Sequence, residues 1–173
     1  MGHLKYIVFA AGFLLISISL DAQKNTFLIS SGYGQYQGFS LGAGYFYSEN
    51  TNLAISLGSH LGLSPFKNRE HINITLENDF HFGNKNRSGT KPWFFGQQVM
   101  YWINNSETVR WKIVSIAPTI GRVFAMTDKV GISFEIAPVL NFMVDVERDP
   151  TDPIVTTILP LFYNYRAQIA YMF

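Results

Sequence analysis

The thirteen residues from Leu161 to Phe173, LFYNYRAQIAYMF, alternate in a way that restricts what this chain can become. Leu161, Tyr163, Tyr165, Ala167, Ile169, Tyr171 and Phe173 form one apolar, ring-rich row. Phe162, Asn164, Arg166, Gln168, Ala170 and Met172 form the other, which holds the polar groups. A strand sends successive side chains to opposite faces, so the spacing predicts a strand with one greasy and one wetter face. The same division recurs upstream. Val130, Ile132, Phe134, Ile136, Pro138, Leu140, Phe142, Val144 and Val146 oppose Gly131, Ser133, Glu135, Ala137, Val139, Asn141, Met143 and Asp145. Ile72, Ile74, Leu76, Phe80 and Phe82 oppose Asn73, Thr75, Glu77, Asp79 and His81. Leu53, Ile55, Leu57, Leu61 and Leu63 oppose Ala54, Ser56, Gly58, His60 and Gly62. Rows of large apolar side chains set against small and polar ones suit a sheet with a polar interior and an outer face in hydrocarbon. A soluble barrel such as a lipocalin-like carrier needs the reverse.

Composition narrows the class further. Aromatics reach 16% while charged residues are only 14%, an inversion for a small soluble domain. Beyond the N-terminal run no apolar stretch approaches the roughly 20 residues of a membrane helix. Only helices and closed barrels satisfy their backbone polar groups in lipid. The expected fold is therefore all-β: a closed antiparallel transmembrane β-barrel of about eight strands in an up-and-down meander. The strand segments are 26–34, 38–47, 53–63, 71–83, 92–103, 109–125, 130–146 and 158–173. With an even count both ends lie on one side. Turns 48–52, 83–91 and 126–129 then share that side, and 34–37, 64–70, 104–108 and 147–157 the other. There is no cysteine, so no disulfide or thiolate site is expected, and a net charge of +1 argues against a nucleic-acid partner.

Three features strain the pattern. In 92–103, both Phe94-Gln98-Trp102 and Phe95-Val99-Tyr101 could face outward. In 109–125, Trp111 and Ile113 are apolar at odd positions while Val114, Ile116 and Ile120 continue at even ones, which a β-bulge near Ile113 would reconcile. Pro118, Pro138 and Pro160 remove ladder donors and imply bulges or strand ends.

Residues 1–22 read as a cleaved signal peptide, with Lys5 before the apolar run Tyr6–Leu20 and a small residue at Ala22, leaving 23–173 as the barrel domain. The terminal Phe173, with Tyr171 two residues before it, resembles the closing strand of bacterial outer-membrane β-barrels. The Ala22-Gln23 ending resembles signal peptides common in Bacteroidetes. The hairpin at 44–57, repeated in phase at 121–134, resembles periplasmic hairpins of small Bacteroidetes outer-membrane proteins. The resemblance implies a Gram-negative outer membrane and outer-membrane lipid around the barrel. It also implies a barrel-assembly machinery that recognises Tyr171 and Phe173.

Eight strands leave a bore that side chains just fill. The inward set is expected to include Glu77, Asp79, His81, Glu135, Asn141, Asn164, Arg166 and Gln168, a structural polar network in which Arg166 needs Glu135 or Glu77. Glu77, Asp79 and His81 share a face, but without a second cluster they make a poor metal site. Ser59 and His60 are adjacent and so point to opposite faces, which rules them out as a nucleophile–base pair. No catalytic, cofactor-binding or metal residue is expected, and hence no enzyme. Trp93, Trp102, Trp111, Tyr45, Tyr47, Tyr101, Tyr163, Tyr165 and Tyr171 suit an interfacial girdle. These expectations favour a structural or surface-interaction role in the envelope, with an extracellular or envelope protein partner left open. A narrow pore, an accessory barrel of a transport or secretion system, and a lipid-modifying enzyme are the alternatives.

Overall fold

The alternating segments become eight strands that close on themselves. A computed structural model describes residues 26–60, 70–87, 89–105, 109–148 and 162–173. The strands are β1 (Thr26–Gly34), β2 (Gly38–Phe46), β3 (Thr51–Ser59), β4 (Glu70–Phe82), β5 (Trp93–Asn105), β6 (Val109–Ala125), β7 (Val130–Arg148) and β8 (Phe162–Met172). Each pairs antiparallel with its sequence neighbours, and β8 returns to β1 from Leu28↔Met172 to Gly34↔Arg166. The Phe173 amide donates to the Phe27 carbonyl at 2.9 Å, so the last residue is tied into the closing seam. Full closure removes the free edges that an open sheet would present. The segments 1–22, 61–69 and 149–161 lie outside the described residues, and with them the signal peptide, Leu61, Leu63, Pro160 and most of the loop after β7.

The outer wall is apolar. Phe27, Leu41, Leu57, Phe95, Phe134 and Ile169 are all exposed, as are Tyr163, Tyr165, Tyr171 and Phe173. At about 3.3 Å per residue and a tilt of about 40°, the outward row from Trp93 to Ile103 rises about 25 Å, the height of an outer-membrane apolar band. Below that band Arg122 lies 4.9 Å from the ring centroids of both Trp93 and Phe124, a charged group held by aromatics at the rim.

Packing orients β5. Phe94, Gly96, Gln98, Met100 and Trp102 point inward and are buried, while Trp93, Phe95, Val99 and Tyr101 face out. Trp102 and half-buried Trp111 therefore belong to the interior rather than to the girdle. Nor does β6 change phase near Ile113. Ile113, Ser115, Ala117 and Thr119 all point inward, with Ile113 only 1% exposed. The irregularity is in β7: Ser115 pairs with Asn141 but Val114 pairs with Met143, so position 142 is the extra residue. Beyond it the phase of β7 flips. Asp145 and Glu147, with Asp145 expected inside, instead stand beside Lys112 and Arg110 on the exposed wall. Arg110 lies 3.8 Å and Lys112 bonds directly to Glu147, while Lys112 is 4.0 Å from Asp145. By register Val144 and Val146 pair with the inward Ile113 and Trp111, although Val144 is still 44% exposed near the loop end. The bulge accounts for the misread end of β7, because an added residue reverses the faces of everything after it, whereas Trp111 and Ile113 of β6 are apolar and inward because they join the apolar layer that fills the loop end.

Neither of the two prolines among the described strand residues makes a bulge. Pro118 and Pro138 fall opposite each other across β6 and β7, which keep a single register from Ile116↔Leu140 to Ile120↔Ile136. Pairing is lost only between 117–119 and 137–139, the stretch that depends on the two missing N–H groups.

Inside, the barrel is layered. Toward the end away from the termini, the loop end, Met100, Trp102, Ile113, Ala117, Ala137 and Val139 form an apolar cluster with Tyr36 and Trp111 against it. The β1–β2 turn was expected to face outside; it does join the strands at the loop end, but it folds into the bore. Gln37 is fully buried, and the Tyr36 ring meets Trp102 at 5.8 Å. The return depends on Gly38 at φ +65°, whose missing Cβ would lie 2.4 Å from the Ser59 carbonyl oxygen. At the other end, the terminal end, the 83–92 turn is tethered to both neighbouring turns. Lys85 reaches Glu49 at 3.2 Å and Arg87 reaches Asp128 at 3.0 Å.

Candidate functional site

β4 and β8 lie on opposite sides of an eight-stranded ring, and Arg166 spans the bore between them. Both terminal nitrogens of its guanidinium donate to the two oxygens of Glu77, a bidentate pairing from β8 to β4. Nη2 also donates to Glu135 Oε2 at 2.9 Å, and Glu135 is the register partner of Arg166 on β7. Arg166 Nε lies 2.8 Å from Glu135 Oε1, close enough for an ion pair but not aligned as a hydrogen bond. All three side chains are buried.

Neutral groups complete the cluster. Ser56 Oγ donates to Glu77 Oε1 at 3.2 Å, and Gln98 Nε2 donates to Glu135 Oε1 at 2.6 Å. Gln37 Nε2, from the inward turn, donates to Gln98 Oε1 at 3.4 Å. A polar chain thus runs across the bore from β3 through Glu77, Arg166, Glu135 and Gln98 to the β1–β2 turn. A buried ion pair is tolerable only when its remaining lone pairs and protons find partners, and here most of them do.

Above this layer, Asn164 Oδ1 accepts the Tyr36 amide at 3.4 Å, and the Tyr36 carbonyl meets His71 Nε2 at 2.7 Å. Burial pushes the Tyr36 phenol up to about 12, so it stays protonated and neutral. Asn141 Oδ1 accepts Ser115 Oγ at 2.6 Å, and Ser115 Oγ in turn accepts Trp102 Nε1 at 3.2 Å. Below the ion layer the bore opens into a cavity of about 80 Å³, lined among others by Asp79, His81 and Gln168. His81 is wedged between Phe46 and Phe94, with ring centroids at 5.3 and 5.4 Å.

The structure therefore brings Glu77, Glu135 and Arg166 into one cluster and sets Asp79, His81 and Gln168 together beneath it. Tyr171 and Phe173 lie outside, with ring centroids 4.9 Å apart, far from this chemistry. The sequence reading missed Ser56 and Gln98 as partners, and Gln37 altogether as an interior group. The signal for Gln37 was present: it is flanked by Gly34 and Gly38, and only a residue without Cβ lets the turn pack so close.

What the cluster can do chemically is limited. Glu77 accepts the Ser56 hydroxyl, but the Arg166 guanidinium holds both of its oxygens and stabilises the carboxylate, which makes it a weak base toward Ser56. Among the described residues no group of three His, Cys, Asp or Glu side chains is placed to hold a metal ion.

No protein-family model matches the chain, and no curated protein matches its sequence. Solved structures share its architecture, among them the following two. The N-terminal β-barrel domain of Pseudomonas aeruginosa OprF superposes with a TM-score of 0.58 at 12% identity, over 87% of this chain and 98% of that one. Neisserial surface protein A (NspA) does so with a TM-score of 0.53 at 12% identity, over 86% and 95%. Both are outer-membrane barrels, and this chain has their fold: a closed, antiparallel, eight-stranded β-barrel.

Proposed function

We propose that the chain is a small barrel of a Gram-negative outer membrane with a structural or surface-interaction role in the envelope. The observation that carries this reading is the filled bore. The β1–β2 turn and the Met100–Trp102–Ile113 cluster occupy the loop end, and the Arg166 ion layer crosses the middle. A barrel filled in this way offers its wall and its loops for interaction rather than a passage. The apolar outer band supports the membrane location, and the Ala22-Gln23 ending and the repeated hairpin support a Bacteroidetes-like source.

Tyr171 and Phe173 face outward at the end of the seam strand, where an assembly machinery would reach them before closure. Replacing both with Ser is expected to lower insertion in cells while leaving refolding into detergent intact.

Membrane fractionation with boiled and unboiled gels tests the location: a heat-shifted band in the outer membrane is expected, and detergent-free recovery from the soluble periplasm would overturn it. Planar-bilayer recordings test the role. The wild-type protein is expected to show no stable conductance; steady channels altered by Glu135→Gln would replace this reading with a narrow pore. Lipid A profiles unchanged on deletion and overexpression are expected, and a changed profile would point to a lipid-modifying enzyme.

A further inference from the structure

The ion layer leaves one carboxylate unaccounted for. Glu77 and Glu135 share Arg166, whereas Asp79 takes part in none of the ion pairs among the described residues. Asp79 is 7% exposed and lines the cavity below Arg166, with its Oδ1 lacking a hydrogen-bond partner in the protein. Two further unpartnered atoms belong to the same wall. Asn52 Oδ1 comes from β3, where Asn52 is the direct register partner of Asp79. His81 Nε2 comes from the next inward position on β4. Asn52 and His81 are each 5% exposed, and both line the cavity.

The chemistry of these three atoms is one-sided. His81 Nδ1 sits 3.2 Å from the Lys91 carbonyl oxygen, which can only accept, so Nδ1 carries the proton. Nε2 then offers a lone pair. An amide oxygen and a carboxylate oxygen are acceptors as well. The three residues that carry these acceptors line one small cavity together with Glu77 and Glu135; the neutral donors on the same wall, Ser30, Ser133 and Gln168, bring no positive charge, and the single guanidinium nearby is already engaged. Negative charge buried without a counter-ion is unfavourable, and water donors alone would leave the charge imbalance in place.

We infer that this cavity is a binding site for a small monovalent cation of the ammonium or alkali class. Size and donor set agree. A volume of about 80 Å³ is several times the roughly 10–15 Å³ that one water needs, so a small ion and accompanying water fit. A tetra-alkyl cation has no N–H to donate and keeps its charge behind methyl groups, so it does not match these acceptors. The absence of a three-ligand His, Cys, Asp or Glu group among the described residues argues against a divalent metal. Access is from the terminal end, because the lining continues through Ala170, Met172 and Thr90, while Arg166 closes the cavity on its other side. The inference rests on the barrel geometry and is independent of the envelope role proposed above.

The experiment follows the unfolding temperature of the full chain, folded in detergent micelles, by the heat-shifted gel band. Ammonium chloride and potassium chloride are titrated against tetramethylammonium chloride at constant ionic strength and pH. A rise that saturates with the two small cations and is missing with the bulky one is expected. In Asp79→Asn the half-saturating ammonium concentration is expected to rise roughly tenfold or more, the equivalent of about 1.4 kcal/mol. Identical behaviour in all three salts would overturn the proposal, leaving water or a bound proton to satisfy Asp79. An unchanged ammonium response in Asp79→Asn would overturn it too, since the cation would then act elsewhere. If Asp79→Asn does not fold, Asn52→Ala removes a neutral acceptor from the same wall, and an unchanged response there carries the same meaning.

Discussion

Arg166→Met separates what the ion layer contributes from what a filled bore contributes. Methionine keeps much of the length and apolar volume of the arginine stem but removes the charge. Arg166, Glu77 and Glu135 have side-chain exposures of 1%, 5% and 3%, so screening by solvent is slight. Removing one partner of a buried pair costs about 3–5 kcal/mol, because the other charge is left buried and uncompensated. Here a single substitution strands two carboxylates, so the loss is expected at the upper end of that range, about 5 kcal/mol. Denaturant unfolding in detergent, followed by the gel shift and by tryptophan fluorescence, would measure it. The triple variant Arg166→Met, Glu77→Gln, Glu135→Gln removes all three charges together. It is expected to recover most of the loss, since a buried ion cluster replaced by neutral groups of similar size is often close to neutral overall. Two results would refute the reasoning: a loss below about 1 kcal/mol in the single variant, or a triple variant no more stable than the single one. Either would mean that water reaches the layer and solvates the carboxylates.

Three other perturbations probe the rest of the interior and the wall. Trp102→Ala empties the middle of the loop-end cluster and is expected to cost about 3–5 kcal/mol in the same unfolding assay. Gly58→Ala would place a Cβ 2.2 Å from the Gln37 carbonyl oxygen, so the inward turn must shift. A loss of about 1–3 kcal/mol is expected, along with faster amide exchange in 35–37, while unchanged exchange there would show that the turn does not depend on this contact. Replacing Pro118 and Pro138 together with Val restores two N–H groups at the unpaired stretch of β6 and β7. A gain of about 1–3 kcal/mol is expected from two added hydrogen bonds, with slow amide exchange at both new residues as the check.

Most of the barrel was legible in the chain. Alternation alone placed Glu77, Glu135 and Arg166 on inward rows and Tyr163, Tyr165 and Tyr171 on the outward one, because strand periodicity is local and fixes faces residue by residue. It failed where a neighbour intervened. Nothing within 109–125 announces that β6 keeps its phase; Trp111 and Ile113 stay inward because residues of other strands build an apolar layer there. Asp145 was assigned inside because face assignments carry forward across an unseen insertion, here at position 142 of β7. In β5 both rows hold aromatics, so only packing could decide that Trp102 fills the bore and Phe95 meets the lipid.

The sequence by itself determined that this chain forms strands, that their large apolar rows face outward and that an even number of them brings both ends to one side. The tertiary structure decided which of those residues meet. Arg166 could have paired with either glutamate; closure of the ring sets β4 opposite β8 and β7 beside it, so it holds both. Gln37, read as part of an exposed turn, became an interior group because the turn bends into a bore whose existence depends on all eight strands. The cavity lined by Asn52, Asp79 and His81 depends on that same closure. Alternation sets a face through local geometry, whereas charge balance depends on residues far apart in sequence and is settled only when the ring shuts.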